Sequence, residues 1–419
     1  MSAQLESASP SAPAPVPRLP REVWVLVAVT FVIALGFGIV APALPSFARS
    51  FDVSVTAASI VISAFAFMRL GFAPVSGKLI SALGERPVFI WGIIVVGLST
   101  GACALAADYW QLLVLRSLGG VGSTMFTVSA VALLIRLTPP ALRGRSTGLW
   151  SSSFLLGSVS GPLFGGGLIA ISLRAPFVVY AVSLFVAATV GWLFLRRSPM
   201  IGDIPAADLP ALTVRQAWGH RAYRAALASS FAHGWAVYGV RVSLVPLFVV
   251  EVLHQAQALA GVALSVFAAG TVAVLMFSGR LTDFLGRRWP MLVGLIVTGG
   301  ATIWLGFTHG VPQFLAAALL AGAGTGLMTP AQGATVADVV GSQAKGGPVL
   351  ALAQMTADIG AIFGPIATGL LVDQLSYPAA FVLTGGVSLL AAMVWLRSPE
   401  TLPRKDAQPA PTPISAPTK

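Results

Sequence analysis

Charge is what this chain has least of. Only 9% of its 419 residues are Asp, Glu, Lys or Arg, where a soluble domain carries roughly 25%. So few charges cannot cover a water-facing surface, so most of the surface must face lipid. Cysteine is nearly absent as well. The single Cys103 sits in an apolar run, which excludes an intramolecular disulfide and a cysteine metal cluster. No Walker-type phosphate loop, zinc-ligand pair or nucleophile elbow is found. That argues against an ATP-driven pump and an intramembrane protease, and the chain is read as a non-enzyme without cofactor or metal. Residues 1–20 are rich in Pro, Ala and Ser and lack the positive start of a signal peptide, so the first apolar run is read as a retained helix.

What is present is apolar: 56% of the residues are hydrophobic and the mean hydropathy is +0.86. A spanning helix needs about 20 apolar residues. Twelve such runs are drawn at 23–46, 53–80, 87–107, 109–137, 146–171, 175–195, 225–250, 256–279, 289–309, 311–338, 347–371 and 377–396. The formal net charge of +11 does not point to nucleic acid, because the bases lie in short loops between these runs. Of the 25 Lys and Arg, Arg69, Arg116 and Arg241 fall inside spans and Arg49 and Arg174 lie at one end of the bundle; all the others lie at the opposite end. The positive-inside rule makes the base-rich end cytoplasmic, with both termini on that side. The expected organisation is a disordered tail at 1–20, a six-helix half at 21–195, a linker at 196–224, a second half at 225–398 and a disordered tail at 399–419.

The two halves repeat at an offset of about 202 residues. Leu44-Pro45-Ser46-Phe47 matches Val245-Pro246-Leu247-Phe248, and Gly77-Lys78-Leu79 matches Gly279-Arg280-Leu281. Gly120-Val121-Gly122 matches Gly322-Ala323-Gly324, and Gly161-Pro162 matches Gly364-Pro365. The fold class is therefore an all-α membrane protein, twelve transmembrane helices in two pseudo-symmetric six-helix halves. Such halves enclose a site near the midplane and rock about it, which favours alternating access over the other class considered, a channel.

Four motifs resemble the major facilitator superfamily, in its twelve-helix drug:proton antiporter branch. The turn after span 2, from Gly77 through Gly84 to Arg86, resembles G-x-L-x-D-R-x-G-R-K with Ser81 in place of the acid. The second-half copy is fuller, with Gly279, Asp283, Gly286, Arg287 and Arg288. Arg116 with Gly120 and Gly122 resembles R-x-x-x-G-x-G. Residues Gly157, Gly161, Pro162, Gly165 and Gly166 fit G-x-x-x-G-P-x-x-G-G, the motif associated with antiporters.

The resemblance implies a monomeric secondary transporter of the bacterial cytoplasmic membrane, whose partners are lipid, protons and a small-molecule substrate. It implies proton-coupled efflux of an amphipathic drug or metabolite, driven by the proton gradient. The alternative is a sugar or organic-anion transporter or facilitator of the same fold. It makes the turns at 77–86 and 279–288 a latch between the halves that closes in the outward-facing state. The glycine face 157–161–165 lets a neighbouring helix approach, and Pro162 and Pro365 bend their helices. A hinge and seal between halves is the functional expectation, with Gly364-Pro365 as its repeat, and plain packing the other reading. Trp235, Tyr238 and Arg241 share a helix face and form either a cavity wall or lipid-facing aromatics. Gln332, Thr329 and Phe37 are further cavity candidates. His233 is either titratable or structural.

Span 1 contains no acid from Val23 to Leu44, and Arg69, Arg116 and Arg241 outnumber the one acid well inside a span, Asp358. That balance disfavours a cationic substrate. Arg69 lies eleven residues before Ile80, and Asp358 eleven after Gly347, so both sit roughly 16 Å from the base-rich end at 1.5 Å per residue. In the resembled architecture spans 2 and 11 adjoin. Asp358 is then the expected proton carrier, Arg69 its partner and Gln354 a further member of the network, against the alternative of a static ion pair.

Overall fold

The computed structural model describes residues 19–138, 142–195, 213–340 and 347–402. The N-terminal tail through residue 18, linker residues 196–212 and the tail from 403 lie outside them. Twelve helices are long and apolar enough to cross a membrane, and no strand occurs among the described residues. They are Arg21–Val40, Val55–Leu83, Glu85–Ala104, Tyr109–Leu137, Arg143–Ile169 and Ala175–Leu195, then Arg221–Glu251, Ala258–Leu285, Arg288–Gly306, Val311–Val340, Gly347–Gln374 and Tyr377–Leu396. They are called spans 1 to 12 below. Span 1 breaks at residues 41–43 and continues as the short helix Leu44–Arg49. Span 7 holds a widened π-type stretch at Gly234–Val240.

The local sequence explains where these helices begin and turn. Ser54, Asp108 and Ser376 accept the orphan amides of Ala57, Gln111 and Ala379 at the starts of spans 2, 4 and 12, as N-cap residues do. Spans 2 and 3, and spans 8 and 9, join through Gly84 and Gly286, whose φ of 85° and 87° suit glycine alone. The expected linker is partly helical: Thr213 and Gln216 form a reciprocal capping box that starts Val214–Gly219.

Lipid-facing surface is evident from apolar helices that stay exposed. Span 6 has a mean hydropathy of 2.2, yet only 39% of that window is buried. Trp91, Trp110, Trp192, Trp289 and Trp304 are exposed near helix ends, as aromatic belts are. Within the first half, span 1 packs on spans 5 and 6, span 4 on spans 2 and 3, and span 3 on span 6. The second half repeats this with span 7 on 11, span 10 on 8 and 9, and span 9 on 12. The halves meet where span 2 packs on span 11 and span 5 on span 8.

The glycine motif of span 5 serves a contact different from the expected seal. A Cβ on Gly157, Gly161 or Gly165 would run into the span 1 backbone at Phe31, Leu35 and Ile39, within the same half. Gly166, one residue on, faces the other half: its Cβ would lie 2.8 Å from the carbonyl oxygen of Ala258. The carbonyl of Pro162 likewise faces Gly261 of span 8. A four-residue repeat keeps to one helix face, and residue 166 is turned about 100° from 165, so the motif splits its contacts between two neighbours. Gly364 packs on Trp235 of span 7, again inside one half. Gly166→Leu is therefore expected to wedge spans 5 and 8 apart and cut transport at least tenfold with normal membrane insertion. Gly161→Leu overpacks a half from within, at about 1–3 kcal/mol, and should lower thermal stability first. Transport assays and melting curves on both variants check the distinction.

Candidate functional site: a cavity between the halves

A cavity of about 390 Å³ opens between the halves. Its wall takes Phe37 from span 1, Phe65 and Arg69 from span 2, Arg116 and Phe126 from span 4, and Trp150 and Phe154 from span 5. Tyr180 comes from span 6, Tyr238 from span 7, and Gln354 and Asp358 from span 11. Span 10 contributes nothing to it. Gly322, Gly324 and Gly326 let that helix close on Phe267, Thr298 and Thr271 of spans 8 and 9, so it is drawn back into its own half.

Phe37, Arg69, Arg116, Tyr238, Gln354 and Asp358, named from sequence, are brought together here. Trp235, Arg241, Gln332 and Thr329 are not. Trp235 is buried and donates from its indole Nε1 to Thr384 Oγ1 at 3.4 Å. The π-type stretch between Trp235 and Tyr238 rotates the two off a common face. Arg241 is buried with its guanidinium 3.4 Å from the ring centroid of Phe267 in span 8. Gln332 donates to Ser230 Oγ at 2.8 Å and Thr329 to its own helix at Thr325 O. His233 stands behind the wall, edge-on to Tyr238 at 5.1 Å.

Among the described residues, Asp358 is the only carboxyl on the cavity wall. Gln354 Nε2 donates to its Oδ1 at 3.2 Å. Arg69 lines the same wall, yet it is not within ion-pair distance, and its Nε has no partner. The two charges thus line one cavity without forming an ion pair.

Arg116 is 4% exposed, and its Nε has no hydrogen-bond partner. Its guanidinium carbon sits 4.2 Å from the centroid of Phe65 and 6.0 Å from that of Phe37. The side chain therefore turns inward and does not snorkel to the membrane surface. Such cation–π contacts are worth about 0.5–2 kcal/mol, whereas withdrawing a guanidinium from water costs several kcal/mol.

The ends of the bundle differ. At the base-poor end Arg49 Nε donates to Glu251 Oε1 at 2.9 Å, joining span 1 to span 7. The Tyr377 hydroxyl donates to the other oxygen of Glu251 at 2.7 Å. Asp373 of span 11 accepts the backbone amides of Val55 at 3.0 Å and Thr56 at 2.9 Å, capping span 2 from the opposite half. Lower down, Ser63 Oγ donates to Ile362 O at 2.7 Å. These contacts between the halves lie between the base-poor end and this level. At the base-rich end Gly77, Gly148, Gly279 and Gly333 have open space where a Cβ would be. Asp283 there has a side chain 78% exposed, with Arg287 3.6 Å away on its own turn. Ser81 donates back to Gly77 O at 3.1 Å. Ser81, Asp283, Arg287 and Arg288 make their hydrogen bonds and ion pairs within their own halves, and with the four open glycines this leaves the base-rich end the less closed of the two.

Each turn is instead anchored within its half. Arg136 of span 4 pairs with Glu85 at 2.7 Å, and Arg287 pairs with Asp338 of span 10 at 3.0 Å. Residues 85 and 287, and 136 and 338, are equivalent in the repeat, so the same bridge is made with its charges exchanged. Pro399–Leu402, assigned to the disordered tail by composition, continue this anchor. Glu400 accepts the backbone amides of Arg287 at 2.8 Å and Arg288 at 3.1 Å, and Thr401 Oγ1 donates to Asp338 at 2.9 Å. Burial alone would raise the Glu400 pKa. The backbone amides of Arg287, Leu402, Arg288 and Thr401 outweigh it and hold the carboxyl below its ordinary range. The start of span 9 supplies these free amides and a positive helix end.

The sequence matches the description Major Facilitator Superfamily over residues 26–256 and 226–418. The chain belongs to this superfamily. It is a multi-pass membrane protein of a family that transports small substrates. Multidrug resistance protein 1 of Bacillus subtilis (strain 168) is 24% identical over 374 residues, covering 87% of this chain and 94% of that protein. Tetracycline resistance protein, class C, of Escherichia coli is 28% identical over 374 residues, covering 87% and 91%. A bacterial homolog to the human lysosomal transporter Spinster, solved in an inward-facing and occupied conformation, superposes with a TM-score of 0.71 at 18% identity, over 91% of this chain and 97% of that one. A POT family transporter gives 0.75 at 12% identity, over 90% and 96%. These structures share the superfamily fold.

Proposed function

We propose that this protein is a proton-coupled exporter of a small amphipathic compound, neutral or anionic, in a bacterial cytoplasmic membrane, and that it works as a monomer by alternating access. The observation that carries the reading is Asp358. A lone carboxyl on a cavity wall at the seam of the halves is exposed to the compartment the cavity opens to, and is held by a neutral amide and not by a fixed ion pair. A site of this kind takes up and gives up a proton as the halves move. The resistance proteins it resembles by sequence support efflux. The base-rich end is cytoplasmic in this reading, so the cavity is open inward, and the contacts of Arg49, Glu251, Tyr377 and Asp373 form the outer gate.

Two measurements test it. In proteoliposomes loaded with substrate, collapsing the proton gradient with an ionophore should stop uphill transport. A facilitator would continue to equilibrate substrate at an unchanged rate. Orientation is checked with single cysteines in a Cys103→Ala background. A cysteine at Lys78 should react with an impermeant maleimide only from the cytoplasm, and one at Arg174 only from outside; the reverse pattern would overturn the assignment.

A further inference from the structure

The geometry points to a seat for a carboxylate at Arg116, with the apolar body of the same compound lying along the aromatic wall. This rests on reading the cavity as the substrate site. Arg116 is buried, has no ion-pair partner among the described residues, has an Nε without a hydrogen-bond partner, and borders the cavity. A buried cation of this kind is completed by what enters the cavity. The charges on the wall lead to the same class. Arg69 and Arg116 stand against Asp358 alone, so the empty cavity holds one positive charge in excess when Asp358 is ionised. A monoanion neutralises it, a neutral guest leaves it, and a cation doubles it. Phe65 and Phe37 flank the guanidinium and offer its N–H donors no acceptor, which leaves those donors for the ligand. A guanidinium edge matches the two oxygens of a carboxylate. Trp150, Tyr180 and Phe126 supply apolar area for the rest of the molecule. A compact aliphatic acid would fill this wall poorly, so the class is an aryl or long-chain monocarboxylate.

The test is equilibrium binding to the full-length protein in nanodiscs, without any gradient. The probes are phenylbutyrate, phenylbutyramide and phenylbutylamine, which differ only in their head group. Wild type should bind the acid about 10- to 100-fold more tightly than the amide, and the amine weakest. Arg116→Gln should bring the acid down to the level of the amide and leave the amide little changed. Should Arg116→Gln not fold, Arg116→Lys serves, because a point charge keeps the order of the probes but loses the paired hydrogen bonds. Acid affinity then falls severalfold while the amide holds. The seat is disproved by an acid that binds no better than the amide or amine, by no binding of the acid, or by acid binding that survives both substitutions. Because no gradient is used, these outcomes are separate from proton coupling. Gradient-driven export of another compound would survive the loss of this seat, and a proton-independent carrier would still show it.

Discussion

Asp358→Asn should reduce gradient-driven transport to the level of empty vesicles and leave substrate binding nearly intact. An uncompensated charge near the bilayer centre costs about 2.5–3.5 kcal/mol on insertion scales, so a carboxyl there is either fixed in a pair or used. Here Gln354 is its one hydrogen-bond partner and Arg69 stands off beyond ion-pair distance. A fixed pair would have Arg69 in contact. Asparagine keeps the shape and the bond to Gln354 but cannot exchange a proton, so it mimics one protonation state permanently. The binding cavity keeps Arg116, Phe37 and Phe65, and affinity measured without a gradient should stay close to wild type. Exchange of labelled for unlabelled substrate, which needs no net proton movement, should persist. The exchanged pair Asp358→Arg with Arg69→Asp should recover folding but not coupling, since the titrating group then sits on span 2, without Gln354. Uphill export by Asp358→Asn at wild-type rates would remove Asp358 from the mechanism and turn attention to His233.

The twelve spans, the repeat and the shared depth of Asp358, Arg69 and Gln354 were legible because each rests on a one-dimensional signal: apolar run length, offset, or depth counted at 1.5 Å per residue; the expected Asp358–Arg69 pair is not formed. Gln332 was misplaced because span 10 packs back on spans 8 and 9, and Trp235 for a different reason. Helix-face arguments assume 3.6 residues per turn, and the π-type stretch at Gly234–Val240 breaks that phase between Trp235 and Tyr238. Glycine faces show that a helix comes close but do not say which, so Gly157, Gly161 and Gly165 turned to span 1 while Gly166 took the seam. The contacts at the base-poor end left a signal that was available. Arg49 and Glu251 are 202 residues apart, which is the repeat offset, and carry opposite charges. A pseudo-two-fold brings equivalent helix ends together, so opposite charges at equivalent positions announce an ion pair. Glu85–Arg136 and Arg287–Asp338 obey the related rule within halves. Phe65, Tyr180 and Trp150 left none, since aromatics in apolar helices are common and only packing selects those that line a cavity.

Glu251→Ala should shift the protein toward the state open at the base-poor end, and Asp283→Asn should shift it the other way. The carboxylate of Glu251 binds Arg49 and the Tyr377 hydroxyl at once. The ion pair is partly exposed, with side chains 34% and 28% accessible, so it contributes about 0.2–1 kcal/mol and less in high salt. The charge-assisted bond from Tyr377 adds about 1.5–3 kcal/mol. Removing both should move the conformational equilibrium by roughly 15-fold to several hundredfold, at about 1.4 kcal/mol per factor of ten. Asp373→Ala takes away the caps on Val55 and Thr56, worth about 0.5–2 kcal/mol, and should add to the shift. The readout is a cysteine at Ser151 on the cavity wall, in a Cys103→Ala background. Its labelling by an impermeant maleimide from the base-poor side should speed up in Glu251→Ala and slow in Asp283→Asn. The signs are opposite because this conformation uses the Glu251 contacts and leaves Asp283 exposed; the resembled latch engages Asp283 only when the base-rich end closes. The double exchange Arg49→Glu with Glu251→Arg restores the pair but faces the Tyr377 hydroxyl with a cation. It should therefore recover only part of the wild-type protection. Full recovery would assign the gate to the ion pair alone, and unchanged labelling in Glu251→Ala would show that the Gly166–Gly261 contact holds this end shut without it.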